Sequence, residues 1–182
     1  MTEGRVRLLL EGRPGIGKTT VARRLVELLE REGVRVRGFI TEEIRERGRR
    51  VGFAVQTLAG AAGQTGRGVL AHADLPGPPR VGKYGVDISA FERLVLPGLT
   101  RADPGDVVVI DELGKMELAS ARFRRAVTAL FDTEARIVAT VHLYGHPFTD
   151  ALKARPDVEV LRVTRSNRDE LAQQLLERLK AP

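Results

Sequence analysis

Two spacings of apolar residues run through the chain. Short apolar runs recur at Val6–Leu10, Val107–Ile110, Arg136–His142 and Val158–Thr164. Runs of about 4–8 residues bounded by polar positions predict buried strands. Between them the spacing becomes helical. Val21, Leu25, Leu28 and Leu29 share one face of a helix over Thr19–Gly33, which Gly33 ends. Phe123, Val127, Leu130 and Phe131 do the same over Ser120–Asp132. Val34–Ile44 and Arg49–Leu58 predict two strands of a hairpin joined by Arg45–Gly48. Ala59–Gly68 is glycine-rich and predicts a loop. From Val69 to Asp87, prolines and glycines leave room for one short strand at most. Ile88–Ala102 predicts a helix up to Leu96, where Pro97 interrupts it. His146–Pro156 predicts a short helix. Asn167–Lys180 predicts a closing helix capped by Asn167, with Glu170 as its capping-box partner.

Strands alternating with helices imply an α/β fold. Its central sheet should be mostly parallel, with helices on both faces. No repeat or linker divides residues 1–182, so a single domain is expected. The chain has no cysteine, which excludes disulfides and thiolate chemistry. No apolar run approaches the roughly 20 residues that cross a membrane. The opening residues do not read as a signal peptide. A cytoplasmic protein that contacts no membrane, and a monomer, is the expectation.

The net charge is +6, from 30 Lys and Arg against 24 Asp and Glu. Such a balance raises nucleic acid as a partner. Most of the arginines, however, are interspersed with acidic residues along predicted helices. The one basic cluster, Arg45–Arg50, contains Gly48 and reads first as a solvated hairpin tip. No interleaved aromatics provide a stacking platform. A nucleic-acid contact is therefore possible on charge grounds but not favoured.

The chemistry concentrates in two stretches. "GRPGIGKTT", Gly12, Arg13, Pro14, Gly15, Ile16, Gly17, Lys18, Thr19 and Thr20, satisfies the G-x-x-x-x-G-K-[ST] spacing between a strand and a helix. A backbone that turns its N–H groups toward a polyphosphate needs conformations that glycine adopts cheaply. The helix N-terminus adds positive potential. Lys18 brings an ammonium to the β- and γ-phosphates, and the Thr19 hydroxyl is placed to ligate Mg²⁺. The second stretch is "VVVIDELGK": Val108, Val109, Ile110, Asp111, Glu112, Leu113, Gly114 and Lys115. Asp111, at the end of a buried strand, is the second candidate for holding Mg²⁺. Glu112 follows it, placed to orient a water against the γ-phosphate. Lys115 either reaches the phosphates or pairs with Glu112 or Glu117.

These stretches, with "RGFITEEIRERGRRVGF", "VGKYGVD" and "VTRSNRDEL", resemble the THEP-type nucleoside triphosphatases from about Arg5 to Leu179. The resemblance implies a P-loop domain akin to RecA and AAA modules. It implies triphosphate binding at Gly12–Thr19 and a second nucleotide-contacting stretch at Val108–Lys115. It also implies Mg²⁺-dependent hydrolysis of ATP, GTP and other nucleoside triphosphates with weak base selectivity. The chain carries no guanine-reading Asn/Thr-Lys-x-Asp motif, in agreement with a loosely selective site. Two rival readings are a kinase for a small molecule or nucleoside, and a nucleotide-controlled RNA-binding module.

Several residues carry open alternatives. Thr140 or His142 senses the γ-phosphate or holds the water if its strand neighbours that of Asp111; otherwise His142 is structural. Glu42 and Glu43 are either site residues or solvated. Lys83 and Tyr84 form a lid or a tight turn. Arg168 and Asn167 contact the base or serve the last helix.

Overall fold

The computed structural model describes residues 5–58 and 65–180. These form one nine-stranded sheet. In chain order the strands and helices are β1 Arg7–Gly12, α1 Lys18–Arg31, β2 Val36–Glu46, β3 Arg49–Thr57, β4 Arg67–His72, β5 Arg80–Val81 and β6 Tyr84–Val86. Then come α2 Ile88–Thr100, β7 Val107–Leu113, α3 Ala121–Leu130, β8 Arg136–His142, α4 Pro147–Lys153, β9 Glu159–Arg162 and α5 Arg168–Lys180. The spatial order is β5-β6-β4-β3-β2-β7-β8-β1-β9.

From β2 to β9 every pairing is parallel. The other pairings are antiparallel. The sheet is therefore mixed: a parallel half built by crossovers and an antiparallel half built on the β2–β3 hairpin. Each face carries its own core. One joins Leu9, Phe39, Val108, Ile110 and Ala139 to α2, α3 and Leu152 of α4. The other joins Leu8, Leu10, Val107, Val109 and Val138 to α1 and α5. No helix among the described residues is long and apolar enough to cross a membrane.

Four local expectations are corrected. Between Val69 and Asp87 three strands contribute, not one at most; β5 and β6 are too short to show a period. The expected loop at Ala59–Gly68 lies partly outside the described residues, and its end, Arg67–Gly68, already belongs to β4. Helix α2 continues past Pro97 to Thr100. Pro97 and Arg93, whose carbonyl loses its partner, both face solvent, so water replaces the missing bond. Asn167 holds the N-cap position of α5, its carbonyl accepting from Leu171 N, but its side chain does not cap the helix. Its side chain turns back to accept from Thr164 N at 2.8 Å and donate to Arg162 O at 2.8 Å. The Arg45–Arg50 cluster is the expected hairpin tip, turning at Arg47 and Gly48 with positive φ at both.

One close approach fixes how β2 lies between its neighbours. Gly38 has a φ of +100°, and a Cβ there would overlap the Val109 carbonyl oxygen. From the sheet face, a Cβ on Gly98 of α2 would lie 3.4 Å from the Gly38 nitrogen. Gly38→Ala is expected to destabilise the protein by about 3 kcal/mol or more, combining left-handed strain with a backbone clash. A lowered urea midpoint with an unchanged m value is the readout.

Candidate active site at the carboxyl ends of the parallel strands

Strand β1 ends at Gly12, and the chain wraps through Gly15 and Gly17, with φ of +74° and +114°, into α1. Ile16 N donates to Arg13 O at 3.2 Å, closing the loop. Lys18 is buried, and its Nζ donates to Gly12 O at 2.9 Å and Arg13 O at 3.2 Å. Burial lowers its pKa, while Glu112 and Asp111 act in the opposite direction. The ammonium is held against the loop by these two carbonyls.

Strand β8 lies between β1 and β7, so its end separates the loop from Asp111. Asp111 is fully buried. Its Oδ1 accepts from Thr140 Oγ1 at 2.7 Å and Thr19 Oγ1 at 3.2 Å, and its Oδ2 from Thr41 Oγ1 at 3.1 Å. Burial raises its pKa; the threonine hydroxyls oppose this, and Glu112 adds to it. Three elements, α1, β2 and β8, thus meet on one carboxylate.

Consecutive strand residues ordinarily face opposite sides of a sheet. Asp111 bonds Thr140, and Glu112 Oε1 lies 2.8 Å from His142 Nε2. Thr140 and His142 share one face of β8, so both acidic side chains reach that face. The cause is visible in the register. Ile110 pairs with Ala139 but Leu113 with Val141, so β7 carries an extra residue at Asp111–Glu112. Such a bulge re-aims side chains at a strand end.

Beneath them lies a third acid. Glu117 sits in a short 3-10 turn, Glu117–Ala119, and is buried. A Cβ placed on Gly114 would sit 2.8 Å from Glu117 Oε2 and 3.0 Å from Glu112 Oε1. Gly114 leaves room for both carboxyls. Burial, then the charges of Glu112 and Asp111, push the Glu117 carboxyl well above the usual carboxylate range.

The remaining candidates divide. Val108, Val109, Ile110 and Leu113 are packed within the two cores and position the neighbouring acids. Lys115 is exposed and makes no ion pair among the described residues. Glu42 bridges Arg23 and Arg67, both at 3.1 Å. Glu43 pairs with Arg45 and Arg50 along the hairpin. Lys83 lies in the tight β5–β6 turn and Tyr84 begins β6, four strand positions from β7. Arg168 reaches across from α5, its Nη1 donating to Ile16 O at 3.0 Å. The buried acid Glu117 and the reach of Arg168 to the loop were not evident from spacing; burial and long-range contact leave no local signal.

Among the described residues no group of three or more His, Cys, Asp or Glu gathers to hold a metal alone. Mg²⁺ is usually bound by one or two carboxylates together with substrate phosphates. The buried Asp111 carboxylate and the Thr19 hydroxyl beside it fit that pattern.

A glycine-turned loop at the start of a helix, facing a buried strand-end aspartate in a parallel sheet, defines a P-loop nucleotide-binding domain. Comparison with known proteins narrows this class. The family model described as NTPase matches residues 7–176. The chain is 43% identical to nucleoside-triphosphatase THEP1 of Thermotoga sp. (strain RQ2) over 96% of each chain. It is 44% identical to the human cancer-related nucleoside-triphosphatase, over 90% of this chain and 91% of that one. The crystal structure of THEP1 from Aquifex aeolicus superposes with a TM-score of 0.83 at 33% identity, covering 96% of this chain and 99% of that one. The chain belongs to the NTPase family, a family of nucleoside-triphosphatases.

The burial of Glu117 generates a stability prediction. In the unfolded chain its carboxyl ionises near about pH 4.3, whereas the folded protein retains the proton to higher pH. Above about pH 4.3 the unfolded state therefore binds fewer protons, and folding stability falls as pH rises toward the folded value. Glu117→Gln should remove this dependence. Denaturation of both proteins from about pH 4 to about pH 8 should show the variant gaining on the native protein as pH rises.

Proposed function

We propose that this protein hydrolyses nucleoside triphosphates with Mg²⁺, taking water as the acceptor and choosing loosely among bases. The observation that carries the reading is Glu112. Its carboxylate stands beside the buried Asp111, on the same sheet face, with one oxygen engaged by His142.

In this reading the triphosphate lies along Gly12–Thr20. The loop amides and Lys18 hold its negative charge. Thr19 and Asp111 would hold Mg²⁺, which supplies further charge neutralisation at the β- and γ-phosphates when bound. Glu112 orients a water and accepts its proton as the water oxygen bonds to the γ-phosphorus. The bond to the β,γ-bridging oxygen breaks, releasing diphosphate and phosphate. His142 Nε2 stands 2.8 Å from Oε1. That contact occupies Oε1 and leaves Oε2 for the water. Catalysis is then mainly positioning and electrostatics.

Phosphate release from ATP, GTP, CTP and UTP tests this, with kcat/KM values expected within about a hundredfold of one another. Glu112→Gln should lower kcat by roughly 10²–10⁴ while affinity for a non-hydrolysable triphosphate holds or rises. His142→Leu should lower kcat by roughly tenfold to a hundredfold, and His142→Gln, which retains an N–H donor, should recover part of it. In the Glu112→Gln background, His142→Leu should have little further effect, because the two side chains act as one unit. Wild-type turnover in Glu112→Gln would remove Glu112 from the role.

A further inference from the structure

The antiparallel half of the sheet extends beyond the edge that carries the site. Strand β2 pairs with β7 only over Val36–Ile40, and Ile40 stands opposite Asp111. From Thr41 to Glu46 it goes on with β3 as its partner. Strands rise about 3.3 Å per residue, so the hairpin tip stands roughly 20 Å past the level of Asp111. Strand β4 accompanies β3 as far as Gly52, which stands opposite His72. Among the described residues, the last rungs, Arg45–Arg50 and Glu46–Arg49, have no further strand beside them.

This arm is braced, and its charges are sorted. Glu43 accepts from Arg45 Nε at 2.9 Å and from Arg50 Nη1 at 3.0 Å, tying β2 to β3. Arg50 Nε also donates to Tyr84 Oη at 3.2 Å, and its guanidinium lies 5.2 Å from the Phe53 ring centroid. Arg47 and Arg49 take no part in the brace. Both are exposed, and among the described residues neither side chain makes an ion pair or a hydrogen bond. Arg47 also holds a φ of +48°, the one non-glycine residue in the left-handed region among those described. Two-residue hairpin turns of this hand favour Asn, Asp or Gly there. An arginine kept against that preference points to a use for its charge. A side chain does not span the roughly 20 Å back to its own Asp111, so the use lies in another molecule.

At the site, Asp111 and Glu112 stand against the ammonium of Lys18. Arg23 approaches this corner from α1, but its Nη2 is held by the Thr41 carbonyl at 3.2 Å and by Glu42 at 3.1 Å. Phosphoryl transfer spreads negative charge over the γ-phosphate oxygens, and an arginine supplied in cis or in trans raises kcat by roughly 10³–10⁵. We propose that Arg47 and Arg49 act in trans: the β2–β3 hairpin of one copy of this chain reaches the triphosphate held by a second copy. Arm and site rise from the same edge of the sheet, so two copies meeting edge to edge each present an arm to the other's site. The tip brings Arg47 and Arg49 to a mouth bearing Asp111 and Glu112, and the charges complement one another. A stable interface takes about 800 Å² from each partner, far more than one turn presents, so the contact is transient and made between monomers. The assignment rests on the hydrolysis proposed for this site.

Phosphate release from ATP with Mg²⁺, measured per molecule across protein concentrations, tests the arm. In the native chain it should rise by about tenfold or more between about 0.1 μM and about 100 μM protein. Arg47→Gly combined with Arg49→Gln places glycine in the left-handed turn, so this variant should fold as the native chain does. Its turnover per molecule should stay flat across the same range. Lys18→Ala, with its own site disabled and its arm intact, should restore turnover when added to the double variant. A slow double variant that Lys18→Ala fails to restore would place the arginines in their own molecule's site and overturn the trans contact. Turnover per molecule independent of concentration in the native chain would overturn it too, and leave the hydrolysis reading standing. Oligouridylate is the remaining probe. Stimulation by it that the double variant loses, with no recovery from Lys18→Ala, would make the tip an RNA contact and overturn the second copy. If the native chain releases no phosphate at any concentration, the hydrolysis reading fails, and the arm fails with it.

Discussion

The site depends on a carboxylate taken out of water. Asp111 is fully buried, and an isolated ion in that position would cost several kcal/mol. Thr140, Thr19 and Thr41 offset the penalty by donating hydroxyl hydrogen bonds from β8, α1 and β2. Bonds to a charged acceptor contribute about 1.5–3 kcal/mol each. The same bonds tie the phosphate-loop helix to the centre of the sheet. Moving Asp111 would shift α1, and with it Lys18, relative to β7. Fold and site therefore share one set of interactions.

Around this carboxylate the charges are arranged by depth. Glu117 is buried beside Asp111, and burial favours its neutral form. Asp111 is buried but hydrogen-bonded. Glu112 is partly open and shares one oxygen with His142. Lys18 is buried on the other side of β8 and opposes the two acids. Three carboxyls in so small a volume repel one another unless some are neutral, bonded or matched by positive charge. The structure uses all three remedies. The bulge in β7 makes the arrangement possible, because a regular strand would send Glu112 to the opposite face.

Much of this was legible in the residues. The phosphate loop combines glycine spacing with a strand before and a helix after, and all three are local signals. The Asp111–Glu112 pair was visible because polarity begins abruptly at the end of "VVVI". The helical faces of α1 and α3 were read correctly from spacing, as was the hairpin turn within Arg45–Gly48. What escaped depends on distant parts of the chain. Strands β5 and β6 are short; β6 pairs with the edge of β4, and β5 with β6. Pro97 ends a helix in isolation but is tolerated where its turn faces water. Asn167 has a cap residue's chemistry, yet its side chain is drawn back to Thr164 and Arg162. Glu117 looks like a surface acid in sequence, and only the packed turn after Gly114 buries it. Arg168 meets Ile16 across nearly the whole chain, a contact no spacing encodes.

In the proposed function Asp111 joins the fold to a magnesium-bound triphosphate. Calorimetry of a non-hydrolysable ATP analogue, with and without Mg²⁺, on the native protein and Asp111→Asn tests this most directly. In the native protein Mg²⁺ should strengthen binding by about tenfold or more, and Asp111→Asn should lose most of that gain while keeping its metal-free affinity. An equal gain from Mg²⁺ in both proteins would contradict the account.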